Sequence, residues 1–261
     1  MTLVVLVGNS NTRVALFSGR RLIGKRVIAT ARIHRHPACI LALTSAHQPA
    51  TDSALASVVP ALTRPVARIL ARNTDKPPLV VDARTRTGLS FRYNRRQLGV
   101  DRVCTAVGAI QRYQRDTIVV DFGTATTINI ITAAGVFLGG TILPGAEMML
   151  RALAHDTARL PAVSFIPRHR AIGHDTSGAI RSGVFHLLAG GVARIIDRIR
   201  SETGRDWLIV ATGGGAGIFR RHIPAVTRID PDIAVRGLAA LLQINRRESA
   251  PHQKHSYRRS A

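Results

Sequence analysis

The chain has 261 residues, with 37 Lys+Arg against 15 Asp+Glu and a net charge of +22. Hydrophobic residues make up 46% and aromatics 4%, which excludes a largely disordered chain and predicts one large domain or two of ordinary size, each with a real core. No apolar run reaches the ~18 residues of a membrane span, and two cysteines, Cys39 and Cys104, cannot build a disulfide framework or a four-ligand metal site. The simplest expectation is a soluble cytoplasmic protein.

In chain order, Met1-Thr2-Leu3-Val4-Val5-Leu6-Val7 has no basic stretch before it and predicts a first strand, not a signal peptide. It enters a turn, Gly8-Asn9-Ser10-Asn11, and a second β-rich run, Val14-Ala15-Leu16-Phe17; a third strand should follow Ser18-Gly19-Arg20. Strands are expected at 53–59 and 79–81, and a helix at 103–113. A second strand, turn and strand begins at Val120-Asp121-Phe122-Gly123-Thr124-Ala125 and continues past Ala134-Gly135 to a further strand. Residues 183–201 read as a helix, and 207–212 as a strand entering Gly213-Gly214-Gly215. Residues 246–261 are polar and unpatterned, and predict a mobile basic tail.

Of the cationic residues only Lys25, Lys76 and Lys254 are lysines; the arginines are scattered along the chain. No zinc-finger spacing, aromatic RNA platform or helix-turn-helix pattern accompanies them, so solvated arginine-rich faces are favoured over nucleic-acid binding, which stays a minor alternative. Such a field also attracts anionic substrates.

The two hairpins are an internal repeat: Leu6 aligns with Asp121, 115 positions on, and Gly8 with Gly123. Two copies of an α/β unit predict a duplicated fold with a cleft between halves at 1–115 and 116–245. A strand ending in Gly, Ser, Thr and Asn suits phosphate, because glycine admits close backbone approach and amides and hydroxyls donate to oxygens. The turn 212–217 is a third such loop, matching neither a P-loop nor a convincing dinucleotide fingerprint. Phosphoryl transfer also needs metal and a group that orients or deprotonates the acceptor hydroxyl. Asp121, at a strand end before a glycine turn, is a candidate cation ligand. Asp101 starts a helix-like run, where capping is the ordinary use. Arg102 beside it could pair with a carboxylate. His155, His174 and His186 show no metal-ligand spacing.

Taken together, 8–12, Ser57-Val58-Val59-Pro60, Tyr93, Gly99-Val100-Asp101-Arg102, 121–127, Gly139-Gly140-Thr141-Ile142-Leu143-Pro144-Gly145, Ile172-Gly173-His174-Asp175-Thr176, Ser182-Gly183, Thr212-Gly213-Gly214 and Val235-Arg236-Gly237-Leu238 resemble, in order, the motifs of type III pantothenate kinases. These belong to the acetate and sugar kinase/Hsp70/actin superfamily. The resemblance implies duplicated actin-like (ribonuclease H-like) domains, and ATP-dependent phosphorylation of pantothenate to 4′-phosphopantothenate in coenzyme A synthesis. It implies Asp101 as general base, and Tyr93, Gly99, Val100, Asp101, Arg102 and, across a homodimer, Thr176 as pantothenate contacts. ATP would meet Leu6, Val7, Gly8, Asn9, Ser10, Asn11, Thr12, Arg13, Thr124, Gly213 and Gly214, with Mg2+ alongside. Asp121 would hold K+ or NH4+.

The chain departs from that pattern where the family has an aspartate two residues before the first glycine: here the residue is Leu6, and the first aspartate in the chain is Asp52. Asn94-Arg95-Arg96 also replaces a stretch in which the family usually has a proline. A leucine cannot ligate magnesium, although ATP phosphates can hold the ion with several waters. The alternative to an active kinase is a weakened or inactive homologue that binds nucleotide or pantothenate.

Overall fold

The computed structural model describes residues 1–44, 49–167 and 170–247. The first sheet holds β1 (Thr2–Val7), β2 (Asn11–Ser18), β3 (Arg21–Ala29), β4 (Asp52–Ser57) and β5 (Leu79–Val80), in the order β3-β2-β1-β4-β5. The second holds β6 (Ser90–Phe91), β7 (Thr117–Phe122), β8 (Ala125–Ile131), β9 (Val136–Pro144), β10 (Leu208–Thr212) and β11 (Arg228–Ile229), in the order β11-β10-β7-β8-β9-β6. Apart from β6, each sheet is the same arrangement: an antiparallel three-strand meander followed by parallel strands beside its first strand. The sequence repeat is therefore a structural repeat. The register refines it: Val7 faces Thr12 across the first turn, and Phe122 faces Thr126 across the second. The second turn is one residue shorter, so Arg13, opposite Leu6, corresponds to Thr127, opposite Asp121.

The helices are α1 (Thr30–Arg35), α2 (Pro60–Arg72), α3 (Val100–Tyr113), α4 (Ala146–His155), α5 (Thr176–Thr203), α6 (Ala216–Phe219) and α7 (Ile233–Arg247). Their limits follow local chemistry. Pro60 opens α2, where its missing N–H is no loss. Asp175 caps α5 by accepting a 2.6 Å bond from the Gly178 amide, and Gly204 closes that helix at φ 61°. By length and composition α5 could cross a membrane, although no such run was evident in the sequence; 44% of its apolar window is buried inside the protein.

One face of each sheet packs on the pair α3 and α7, which form the centre of the molecule. Leu6, Ala15 and Phe17 of the first sheet share this core with Val119, Ile131 and Phe137 of the second. The opposite faces carry separate cores, around Leu3, Val5 and Leu55 under α2, and around Ile118, Val120 and Ile209 under α5. β1 reads as a continuous apolar run because both faces are covered. Where α3 and α7 cross, a Cβ on Gly237 would lie 1.8 Å from the Cys104 carbonyl oxygen, and one on Gly108 2.0 Å from that of Ile233. Only glycine permits so close a backbone approach.

The halves exchange elements across the expected boundary near 115. β6 precedes that point yet pairs with β9. α7 follows it yet packs on β1 and β4 of the first sheet, tied by Lys25–Asp232 (2.9 Å) and Arg246–Asp52 (3.0 Å). Arg246 and Arg247 complete α7 instead of starting a tail; the rest of the expected tail, 248–261, lies outside the described residues.

Candidate active site

The two glycine turns meet. Ser10 Oγ and Thr124 Oγ1, 114 residues apart in sequence, are 2.8 Å apart. They stand at the mouth of a cleft of about 460 Å³ whose lining includes Leu6, Asn11, Arg13, Asp101, Asp121 and Gly214. The first turn is braced from behind: Gly8 N–H donates to the Asn11 carbonyl (3.0 Å), Thr30 Oγ1 donates to the Gly8 carbonyl (2.7 Å), and the Thr12 and Thr30 hydroxyls are 3.0 Å apart. The second turn is held by Gly145, whose amide donates to the Thr124 carbonyl (3.1 Å). A Cβ on Gly145 would lie 2.4 Å from the Gly123 and Thr124 carbonyl oxygens, which accounts for the glycine ending the 139–145 motif.

Asp121, next to last in β7, lines the cleft. Burial, opposed by the nearby Arg13 charge and reinforced by Asp101, raises its carboxyl above the ordinary carboxylate range. Its Oδ1 is buried without a hydrogen-bond partner, as are the hydroxyls of Thr126 and Thr212. Thr212 stands directly beside Asp121 on the neighbouring strand. Gly213, at φ +86°, lets the chain turn over this carboxylate, since a Cβ there would lie 2.4 Å from Asp121 Oδ1. The buried Asp121 oxygen with the unpartnered Thr212 hydroxyl beside it is a donor pair that fits a monovalent cation.

Asp101 lies in the first turn of α3, so its carboxylate reaches the cleft from the central helix pair. The N-cap is Gly99, not Asp101; Asp101 Oδ1 accepts from the Arg102 amide (2.8 Å). The Arg102 side chain is buried at 6% exposure. Its Nε donates to Asn129 Oδ1 (2.6 Å), and its guanidinium lies 5.5 Å from the Tyr93 ring centre and 5.6 Å from that of Phe137. Arg102 is thus a buried cation anchored through Nε, its Nη2 without a protein partner among the described residues.

The structure thus brings together Leu6, Gly8, Asn9, Ser10, Asn11, Arg13, Asp101, Asp121, Thr124 and Gly214 on one cleft. Tyr93 stacks on the Arg102 cluster, with Gly99 and Val100 at the start of α3. Three expected ATP contacts lie elsewhere. Val7 is buried in the first-half core, the Thr12 side chain is engaged with Thr30, and Gly213 underlies Asp121, so Gly214 and Gly215 form the wall instead. Thr176 begins α5 and is not part of this cleft's lining. Sequence reasoning missed Glu147 and Arg151 of α4, which line the cleft, and an aromatic wall in which Phe219 stacks on Phe122 (4.8 Å) and Phe165 (5.8 Å). The helix-forming run after Pro144-Gly145 was the available signal for α4.

Two equivalent halves closing on paired phosphate-type turns define the actin-like ATPase and sugar-kinase fold class. Solved structures agree: a Campylobacter jejuni protein described as a Baf family transcriptional activator superposes with TM-score 0.61 at 19% identity, covering 94% of this chain and 99% of that one. Component A of the Acidaminococcus fermentans (R)-2-hydroxyglutaryl-CoA dehydratase superposes with TM-score 0.53 at 15% identity, covering 92% and 96%.

Within that class, residues 2–198 match the type III pantothenate kinase family. The type III pantothenate kinase of Moorella thermoacetica is 34% identical over 253 residues, spanning 94% of this chain and 100% of that protein. The Thermomicrobium roseum enzyme of the same name is 36% identical over 246 residues, spanning 91% and 95%. The chain belongs to the type III pantothenate kinase family.

Proposed function

We propose that this protein transfers the γ-phosphoryl group of ATP to the 4′-hydroxyl of pantothenate, yielding ADP and 4′-phosphopantothenate for coenzyme A synthesis. The observation that supports this reading best is Asp101, a carboxylate on the cleft wall beside the two phosphate-type turns and adjacent in sequence to the buried, half-satisfied Arg102. The Ser10 and Thr124 turns receive the ATP phosphates, and the Phe165–Phe219 wall with Gly214 and Gly215 receives the nucleoside. The free Nη2 of Arg102 binds pantothenate, with Tyr93 fixing the guanidinium plane. Asp101 accepts the proton of the acceptor hydroxyl as the new O–P bond forms and the bond to ADP breaks.

Magnesium bound with ATP supplies charge neutralisation at the phosphates. A monovalent cation, K+ or NH4+, fits Asp121 with Thr212 beside it. In this reading the protein is a cytoplasmic homodimer in which Thr176 reaches the partner's pantothenate site. The test is incubation of the purified protein with ATP, magnesium, potassium and pantothenate, followed by mass-spectrometric identification of the product. A pantothenate-dependent mass gain of one phosphoryl group supports the reading; ADP formation indifferent to pantothenate overturns it.

A further inference from the structure

The first hairpin differs from its structural counterpart at two facing positions. At the carboxyl end of β7, Asp121 faces Thr127 across the ladder; at the carboxyl end of β1, Leu6 faces Arg13. Residues directly opposite in an antiparallel pair project from the same side of the sheet. Both Leu6 and Arg13 line the cleft, with Asn11, Asp121 and Thr124. The first half thus presents an apolar side chain and a fixed cation where the second presents a carboxylate and a hydroxyl.

These two facing positions supply no ligand for a divalent ion. Neither Leu6 nor Arg13 can ligate a cation. The acids on the cleft wall are Asp101, Asp121 and Glu147, and no cluster of three or more His, Cys, Asp or Glu suited to a metal occurs among the described residues. A guanidinium suits a polyphosphate, because its planar donors engage phosphate oxygens in pairs and its charge persists at every relevant pH. Arg13 makes no side-chain hydrogen bond or close ion pair among the described residues, although its charge acts on the Asp121 carboxyl, so its N–H donors are open to a ligand. Half-buried in a cleft, such a charge acts through a lower effective dielectric than water and is only partly screened by salt.

We infer that Arg13 grips the nucleotide's polyphosphate directly, so that this protein's ATP binding is uncoupled from divalent metal. Leu6 is the complementary change: an acid at that position would pair with Arg13 and withdraw it from the phosphates. Metal then enters with the nucleotide and serves turnover, not capture. The inference rests on the ATP-dependent kinase reading above.

The test is calorimetric titration of the full chain with ATP and with ADP, in magnesium and in EDTA. Wild type is expected to bind ATP in EDTA within about 5-fold of its affinity in magnesium. Arg13→Leu should weaken binding in EDTA by about 10- to 100-fold, the range for loss of a charged hydrogen-bonding partner. The double variant Leu6→Asp/Arg13→Val should regain affinity only when magnesium is present. Tight ATP binding by wild type in magnesium but a loss beyond about 30-fold in EDTA overturns the inference and leaves the kinase reading intact. That comparison needs no variant to fold. Equal affinity of Arg13→Leu and wild type in EDTA also overturns it. Failure of wild type to bind ATP under either condition removes both readings.

Discussion

Replacing Gly237 with alanine puts a methyl group 1.8 Å from the Cys104 carbonyl oxygen and 2.7 Å from the Gly108 amide nitrogen. An ordinary carbon–oxygen contact is about 3.3 Å or more, so α7 must back away from α3 by roughly 1.5 Å. Both obstructing atoms are backbone, and a rotamer change cannot relieve them. Overpacking of this kind costs about 1–3 kcal/mol or more. Because only backbone movement can relieve the clash, the cost lies at the upper end of that range, about 3 kcal/mol or more; alanine's helix propensity returns up to about 1 kcal/mol, leaving a net loss of about 2 kcal/mol or more. For a chain of this size that lowers Tm by roughly 3–10 °C. Because α3 carries Asp101 into the cleft, a displaced crossing should also reduce kcat more than 10-fold, as misplacement by about 1 Å does. Gly190→Ala is the control: Gly190 lies inside α5 with nothing within 4 Å of a built Cβ, so the same substitution there should raise Tm slightly. Differential scanning calorimetry and steady-state kinetics read both effects. A Gly237→Ala protein melting within 1 °C of wild type, with unchanged kcat, would refute the account of the central crossing.

Asp121→Asn should stabilise the ligand-free protein at neutral pH. The folded state holds this carboxyl's proton more tightly than the unfolded state does. The stability linked to the group is therefore complete below the ordinary carboxylate value and lost as pH rises through the raised one. Tm measured from pH 4 to pH 8 should fall more for wild type than for Asp121→Asn, and the variant's activity should no longer respond to potassium; parallel pH profiles would count against a buried, strained carboxylate. Arg102→Leu should raise the KM for pantothenate at least about 10-fold with little change in that for ATP, since a charged hydrogen bond is lost; equal increases in both would place Arg102 outside the pantothenate site.

Local signals made much of the fold readable. The hairpins are short-range objects, fixed by β-rich runs and glycine turns, and their recurrence disclosed the duplication. The cleft's central acids, Asp101 and Asp121, were legible because carboxylates are scarce and both sit at element ends. What escaped depends on long-range packing. β6 is two residues long and exists only because it pairs with β9. The placement of α7 over the first sheet is decided by buried area at the α3 crossing, which no window of sequence contains. The one-residue difference between the turns, which makes Arg13 the partner of Leu6 and the counterpart of Thr127, is a matter of register; an ungapped alignment at a constant 115 pairs Arg13 with Ile128 instead. Arg151 comes from a segment without a phosphate-binding pattern, and both it and the Phe219 stack take their places in the cleft through tertiary folding.

The most direct measurement is the rate of 4′-phosphopantothenate formation by wild type and by Asp101→Asn, quantified from the same preparations with pantothenate and ATP saturating. The account predicts steady product from wild type and a fall of about 10²-fold or more in kcat for the variant, with both substrates still bound. Near-normal turnover by Asp101→Asn would contradict it.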